Sequence, residues 1–128
     1  MKIGFIGCGN MAGAMVGGMI GSGKVDKTDI IVSARSQETL QKRSKALGVA
    51  TTLDNRKVAE ESDVLFLAVK PQFYAEVIRE VAFSVKEDAI VVSIAPGITL
   101  ASLEKLFERP LKIVRTMPNT PAQVGEGM

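Results

Sequence analysis

Two periodicities alternate along the chain. Short, largely apolar runs of strand length fall at residues 2–6, 30–33, 49–51, 63–69, 89–94 and 111–116. Between them lie helical patterns. In residues 10–22, Met11, Ala12, Met15, Val16, Met19 and Ile20 fall on one face, and Gly21 and Gly23 close the pattern. Ser36 is a fair cap for a helix bearing Leu40, Ala46 and Leu47 and ended by Gly48. Asp54-Asn55 opens a short helix through Ser62. Residues 73–85 turn Val77, Ile78 and Val81 inward, and Thr99 caps a helix with Leu100, Leu103, Leu106 and Phe107. The run from Asp63 to Val69 is almost continuously apolar, as a central parallel strand covered on both faces requires, and Pro71 stops it. The Met stripe reads as helix packing against a sheet rather than as a cofactor box. Six strand–helix alternations predict an α/β fold, a doubly wound parallel sheet with right-handed crossovers and helices on both faces.

The first strand opens directly into Gly7-Cys8-Gly9-Asn10-Met11-Ala12. A strand, a turn of the form Gly-x-Gly-x-x-Ala and a helix make the arrangement on which a dinucleotide pyrophosphate sits. Gly7 allows the tight turn, Gly9 lets the backbone approach the phosphates, and Ala12 lets the helix pack close to the strand. The helix N-terminus offers unpaired N–H groups and a partial positive charge. The fold class is thereby narrowed to a Rossmann-type NAD(P)-binding domain over residues 1–128.

Composition removes several other functions. The chain has 128 residues, 46% of them hydrophobic, enough for a buried core in one domain. A net charge of +2, scattered basic residues and the absence of Trp argue against nucleic acid as a partner. No apolar run reaches the roughly 20 residues that span a bilayer, and no signal-peptide pattern opens the chain, so a cytoplasmic protein without membrane contact is expected. With no His and the single cysteine Cys8, neither a metal site nor a disulfide is expected. Cys8 reads as a small residue that fits the turn.

The second strand of such a domain usually delivers an Asp or Glu to the adenosine ribose. Here the sequence is Ser33-Ala34-Arg35-Ser36. The missing carboxylate and the planar fork of Arg35 favour a ribose 2′-phosphate, hence NADP(H), with NAD(H) as the second choice. A plain surface Arg is the alternative. The ends of the fourth and fifth strands read Ala68-Val69-Lys70-Pro71 and Ser93-Ile94-Ala95-Pro96, small side chains suited to a nicotinamide ribose. Lys70 is either a proton donor or a solvated strand-end lysine, and Asn55 either a helix cap or an adenine-side contact. No carboxylate pair and no nucleophile with a base is evident, so chemistry falls to a bound cofactor.

Four blocks carry a resemblance: residues 3–12, residues 63–72 with Val69-Lys70-Pro71, residues 91–99, and Arg115-Thr116-Met117-Pro118-Asn119-Thr120-Pro121-Ala122. Together they resemble the pyrroline-5-carboxylate reductases. The first block alone is shared with many β-hydroxyacid-type dehydrogenases. The resemblance implies cofactor contacts from Ile6, Gly7, Cys8, Gly9, Asn10, Met11, Ser33, Ala34, Arg35, Asn55, Ala68, Val69, Lys70, Pro71, Ser93, Ile94 and Ala95. It implies reduction of 1-pyrroline-5-carboxylate to L-proline. Asn119 and Thr120 are the candidates for holding the substrate, and no catalytic residue or proton donor is assigned. Pro96, where a small residue such as Ala is commoner, is a small departure. The family continues with a helical domain that makes a homo-oligomer and most of the imino-acid pocket. Because the pattern runs out in residues 117–128, this chain is expected to be the cofactor-binding portion alone. A stand-alone NADP-binding redox sensor, or a fragment of a β-hydroxyacid-type dehydrogenase, is the competing expectation.

Overall fold

The computed structural model describes residues 1–7, 10–23, 25–34, 36–38, 41–42, 48–94, 98–108 and 111–115. Among them, six short strands pair into one parallel sheet: β1 (Ile3–Ile6), β2 (Ile30–Ser33), β3 (Ala50–Thr52), β4 (Val64–Leu67), β5 (Ile90–Ser93) and β6 (Lys112–Arg115), in the order β3-β2-β1-β4-β5-β6. The order reverses between β1 and β4, which pair directly although β2 and β3 lie between them in the chain. Ile3 sits opposite both Ile30 of β2 and Val64 of β4, so the ends of β1, β2 and β4 finish level with one another. This is the expected doubly wound fold, and the sheet's switch point falls where the glycine turn leaves β1.

Side-chain alternation along the strands divides the core into two layers. On one side, Ile3 and Phe5 pack with Phe66, Ile30 and Val32 against Ala12 and Val16 of helix α1 (Asn10–Gly21). Phe5 and Phe66 occupy paired positions of β1 and β4, and their rings stack at 4.5 Å with planes 7° apart. On the other side, Ile6, Leu65, Leu67 and Val91 meet three helices: α2 (Asn55–Glu61), α3 (Tyr74–Val81) and α4 (Leu100–Phe107). Each fully buried aliphatic side chain contributes about 1.5–3 kcal/mol, so this two-sided burial is the main support of the sheet.

Most expected strand and helix ends move by one or two residues. β3 begins at Ala50, one residue later than the pattern indicated, and Val49 is buried just before it. Residues 71–73 form a single 3₁₀ turn, so α3 starts at Tyr74, and it ends at Val81 rather than Val85. The helix expected after Ser36 lies largely outside the described residues; Gln37, Glu38, Gln41 and Lys42 within it are helical. Thr99 caps α4 as expected, its hydroxyl accepting from the Ser102 N–H at 3.1 Å. Among the described residues, no helix is long and apolar enough to cross a membrane.

Gly4 has a role that its position in an apolar strand conceals. It faces the last turn of α2, and a Cβ there would collide with Ser62 Oγ and lie 2.6 Å from Val58 Cγ1. Ser62 is buried and donates to the Val58 carbonyl at 2.6 Å, which holds its hydroxyl against Gly4. The bare strand backbone is what lets α2 sit this close to β1.

Candidate cofactor-binding site

The turn leaving β1 is tied to both neighbouring strands. The Gly7 N–H donates to the Ser33 carbonyl at 3.0 Å, and the Ile6 carbonyl accepts from the Ala68 N–H at 2.9 Å. Gly7 has φ +92°, a region closed to most side chains. A Cβ at Gly7 would stand 2.9 Å from Val69 Cγ1 and 3.1 Å from the Ala68 carbonyl. The chain therefore turns sharply at the switch point while pressed against the end of β4, and only glycine meets both demands.

A cleft of about 300 Å³ opens beside this turn, lined by Gly7, Ala34, Leu53, Asn55, Val69, Phe73, Glu76, Val77 and Glu80. Leu53, Val69, Phe73 and Val77 give it apolar walls, and Asn55, Glu76 and Glu80 give it a polar side. Such a lining suits a flat heteroaromatic ring with a polar sugar beside it. The structure thus brings four of the expected contacts, Gly7, Ala34, Asn55 and Val69, into one wall.

Other expected contacts are placed differently. Ile6 is buried beneath the turn, Ala68 and Val69 are half-buried, and Lys70 and Pro71 are exposed where the chain enters the 3₁₀ turn. Lys70 forms no ion pair among the described residues, and its carbonyl accepts from the Phe73 N–H at 2.9 Å. Ser33 is fully buried, and its hydroxyl donates to Asn55 Oδ1 at 2.6 Å. Ser93 and Ile94 are buried at the end of β5. The Ser93 hydroxyl lies 3.1 Å from the phenolic oxygen of Tyr74. Neither serine hydroxyl is on the cleft wall. Asn10 and Met11 begin α1. Cys8, Gly9, Arg35, Ala95, Pro96, Asn119 and Thr120 lie outside the described residues.

Asn55 is not the cap of α2. That position belongs to Asp54, whose carboxylate accepts from the Arg56 N–H at 3.0 Å. Asn55 is the first residue of the helix, and its amide is free to reach across the cleft, donating from Nδ2 to Glu80 Oε1 at 2.9 Å. Glu76 and Glu80 are the site residues that the sequence did not reveal. On an amphipathic helix they read as solvent-facing charges, and only the packing of α3 against α2 brings them to the cleft.

Residues 2–97 match the family described as NADP oxidoreductase coenzyme F420-dependent. Pyrroline-5-carboxylate reductase 3 of Danio rerio is 45% identical to the chain over 127 residues, covering 99% of this chain and 44% of that protein. A solved pyrroline-5-carboxylate reductase from Coxiella burnetii superposes with a TM-score of 0.89 at 42% identity, over 96% of this chain and 46% of that one. Plasmodium falciparum pyrroline carboxylate reductase, solved with NADP bound, superposes with a TM-score of 0.85 at 28% identity, over 99% of this chain and 45% of that one. The chain spans a little under half the length of these relatives. The resemblance seen in the residue blocks is borne out, and the chain belongs to the NADP oxidoreductase, coenzyme F420-dependent, family.

Proposed function

We propose that this chain is the NADP(H)-binding portion of a pyrroline-5-carboxylate reductase. The observation that carries the proposal is the β1 turn: Gly7, at φ +92°, presses against Val69 and Ala68 at the switch point, beside a cleft of suitable size and lining. The identity of the chain with pyrroline-5-carboxylate reductases over nearly all its length supports the choice of reaction.

In this reading Gly7 and Gly9 let the backbone approach a pyrophosphate, and the N-terminus of α1 meets its charge. Asn55, Ala34 and Leu53 hold the adenosine, and Arg35 pairs with a ribose 2′-phosphate. The ends of β4 and β5, from Ala68 to Pro71 and from Ser93 to Ala95, carry the nicotinamide half. When bound, NADP(H) supplies the hydride that reduces the C=N bond of 1-pyrroline-5-carboxylate, with one proton added at nitrogen to give L-proline. Asn119 and Thr120 are the groups of this chain assigned to the substrate. The rest of the imino-acid pocket, the proton donor and the homo-oligomer contacts are assigned to a helical domain of the longer protein.

Two measurements test this. Calorimetric titration of the chain with NADPH should give one site. A chimera joining the chain to the remaining length of the Coxiella burnetii relative should oxidise NADPH only when 1-pyrroline-5-carboxylate is present, and the chain alone should turn over far more slowly. Equal steady rates from the chain and the chimera would contradict this division of labour.

A further inference from the structure

A hydrogen-bond chain runs from β2 to α3 across the polar side of the cleft, and its last member has no part in the function proposed above. Ser33 Oγ donates to Asn55 Oδ1 at 2.6 Å, and Asn55 Nδ2 donates to Glu80 Oε1 at 2.9 Å. An ionised carboxylate only accepts, so Glu80 fixes which end of the Asn55 amide it meets. The amide oxygen then turns to Ser33 and takes that residue's one hydroxyl proton. Ser33 Oγ is in turn 3.4 Å from the Gly7 N–H. The protons along this chain therefore point toward Glu80. An incoming anion would need them to point toward the cleft.

Charge acts in the same direction. Glu80 and Glu76 both line the cleft, and among the described residues no Lys or Arg lines it. Arg56 reaches Glu80 only at the backbone carbonyl, with Nε 3.4 Å from it. No ion pair among the described residues involves Glu80. A dianionic 2′-phosphate placed near the end of β2 would meet a negative wall on the α3 side, formed by Glu76 and Glu80.

We propose that Glu80, acting through Asn55, is a specificity-determining positioning residue that opposes a ribose 2′-phosphate. It leaves the chain able to take the dinucleotide with or without that phosphate. The inference rests on the cofactor-binding reading above. The test compares NADPH and NADH, which differ only in the 2′-phosphate, by calorimetric titration of the chain and of Glu80→Gln. The amide keeps an acceptor for Asn55 and removes the charge. The ratio of NADPH to NADH affinity should rise about two- to fivefold in Glu80→Gln, the size of effect that an exposed charge exerts. The rise should shrink in high salt and shrink again in an Asn55→Ala background. A ratio that is unchanged, or that falls, overturns the proposal, since a purely structural role would move both affinities together. If the unaltered chain binds neither dinucleotide, the cofactor-binding reading itself fails and the proposal falls with it.

Discussion

The phenolic oxygen of Tyr74 donates to the Leu67 carbonyl at 2.7 Å. That carbonyl ends β4, and the same phenol lies 3.1 Å from the Ser93 hydroxyl at the end of β5. One side chain at the start of α3 thereby joins the two strand ends that flank the nicotinamide half of the proposed site. Tyr74 and Ser93 are both buried, so water does not replace either bond.

Tyr74→Phe leaves a buried carbonyl and a buried hydroxyl without their partner. Leaving such groups unsatisfied costs about 1–3 kcal/mol. Urea denaturation should show a loss of that order with an unchanged slope. A loss below a few tenths of a kcal/mol would mean that the phenol is dispensable.

Gly4→Ala should destabilise the chain, because the new methyl meets Ser62 Oγ and Val58 Cγ1. Overpacking of this kind costs about 1–3 kcal/mol. Pairing it with Ser62→Gly removes the nearer obstacle and should recover part of the loss. Strict additivity of the two substitutions would show that they do not touch.

The organisation of the sheet was legible because each strand and helix carried its own period and punctuation: Gly23 after α1, Asp54 before α2, Pro71 after β4, Thr99 before α4. The turn at Gly7 was legible for the same reason, since a positive φ leaves its mark on one residue. The polar side of the cleft was legible only at Asn55; Glu76 and Glu80 were not. Ser33, Asn55 and Glu80 lie 22 and 25 residues apart, and each alone has an ordinary reading as a strand-end serine, a helix cap or a surface charge. The packing of α3 on α2 makes them one chain of hydrogen bonds, and neither helix encodes that contact locally. Gly4 is similar: its reason for being glycine is Ser62, on another element. Ser33 and Ser93 were expected as cofactor contacts, but their hydroxyls were already engaged by partners that no local pattern announces.

Asp63 fastens the start of β1 to β4. Its carboxylate accepts from the Lys2 N–H at 2.8 Å and from Lys86 Nζ at 3.1 Å. Chiefly through the Lys2 N–H and then through Lys86, these contacts hold its carboxyl below the ordinary value of 3.8. A lowered folded-state value means that the stabilisation is present above the unfolded-state value and is lost as pH falls through the folded one. Thermal midpoints should therefore drop below about pH 4. Asp63→Asn should be less stable at neutral pH and show a weaker acid dependence. Parallel pH profiles for the two proteins would contradict this assignment.

In the proposed site Arg35 favours the 2′-phosphate and Glu80 opposes it, and magnitude decides the sign. A charge-assisted contact to a phosphate is worth about 1.5–3 kcal/mol, whereas an exposed opposing charge exerts about 0.2–1 kcal/mol. The chain should thus bind NADPH more tightly than NADH, and Arg35→Asp should abolish or reverse that order. Equal affinities in the unaltered chain, unchanged by Arg35→Asp, would remove Arg35 from the site.

In the proposed site a dinucleotide pyrophosphate rests on the turn between β1 and α1. The most direct measurement is calorimetric titration of NADPH into the chain and into Gly9→Val, with circular dichroism of both. In the glycine motif a β-branched side chain at Gly9 would take the space the pyrophosphate needs, while the turn itself depends more on Gly7. The expected outcome is one binding site in the unaltered chain, none in Gly9→Val, and matching dichroism spectra. Unchanged NADPH affinity in a folded Gly9→Val protein would place the phosphates elsewhere and contradict it.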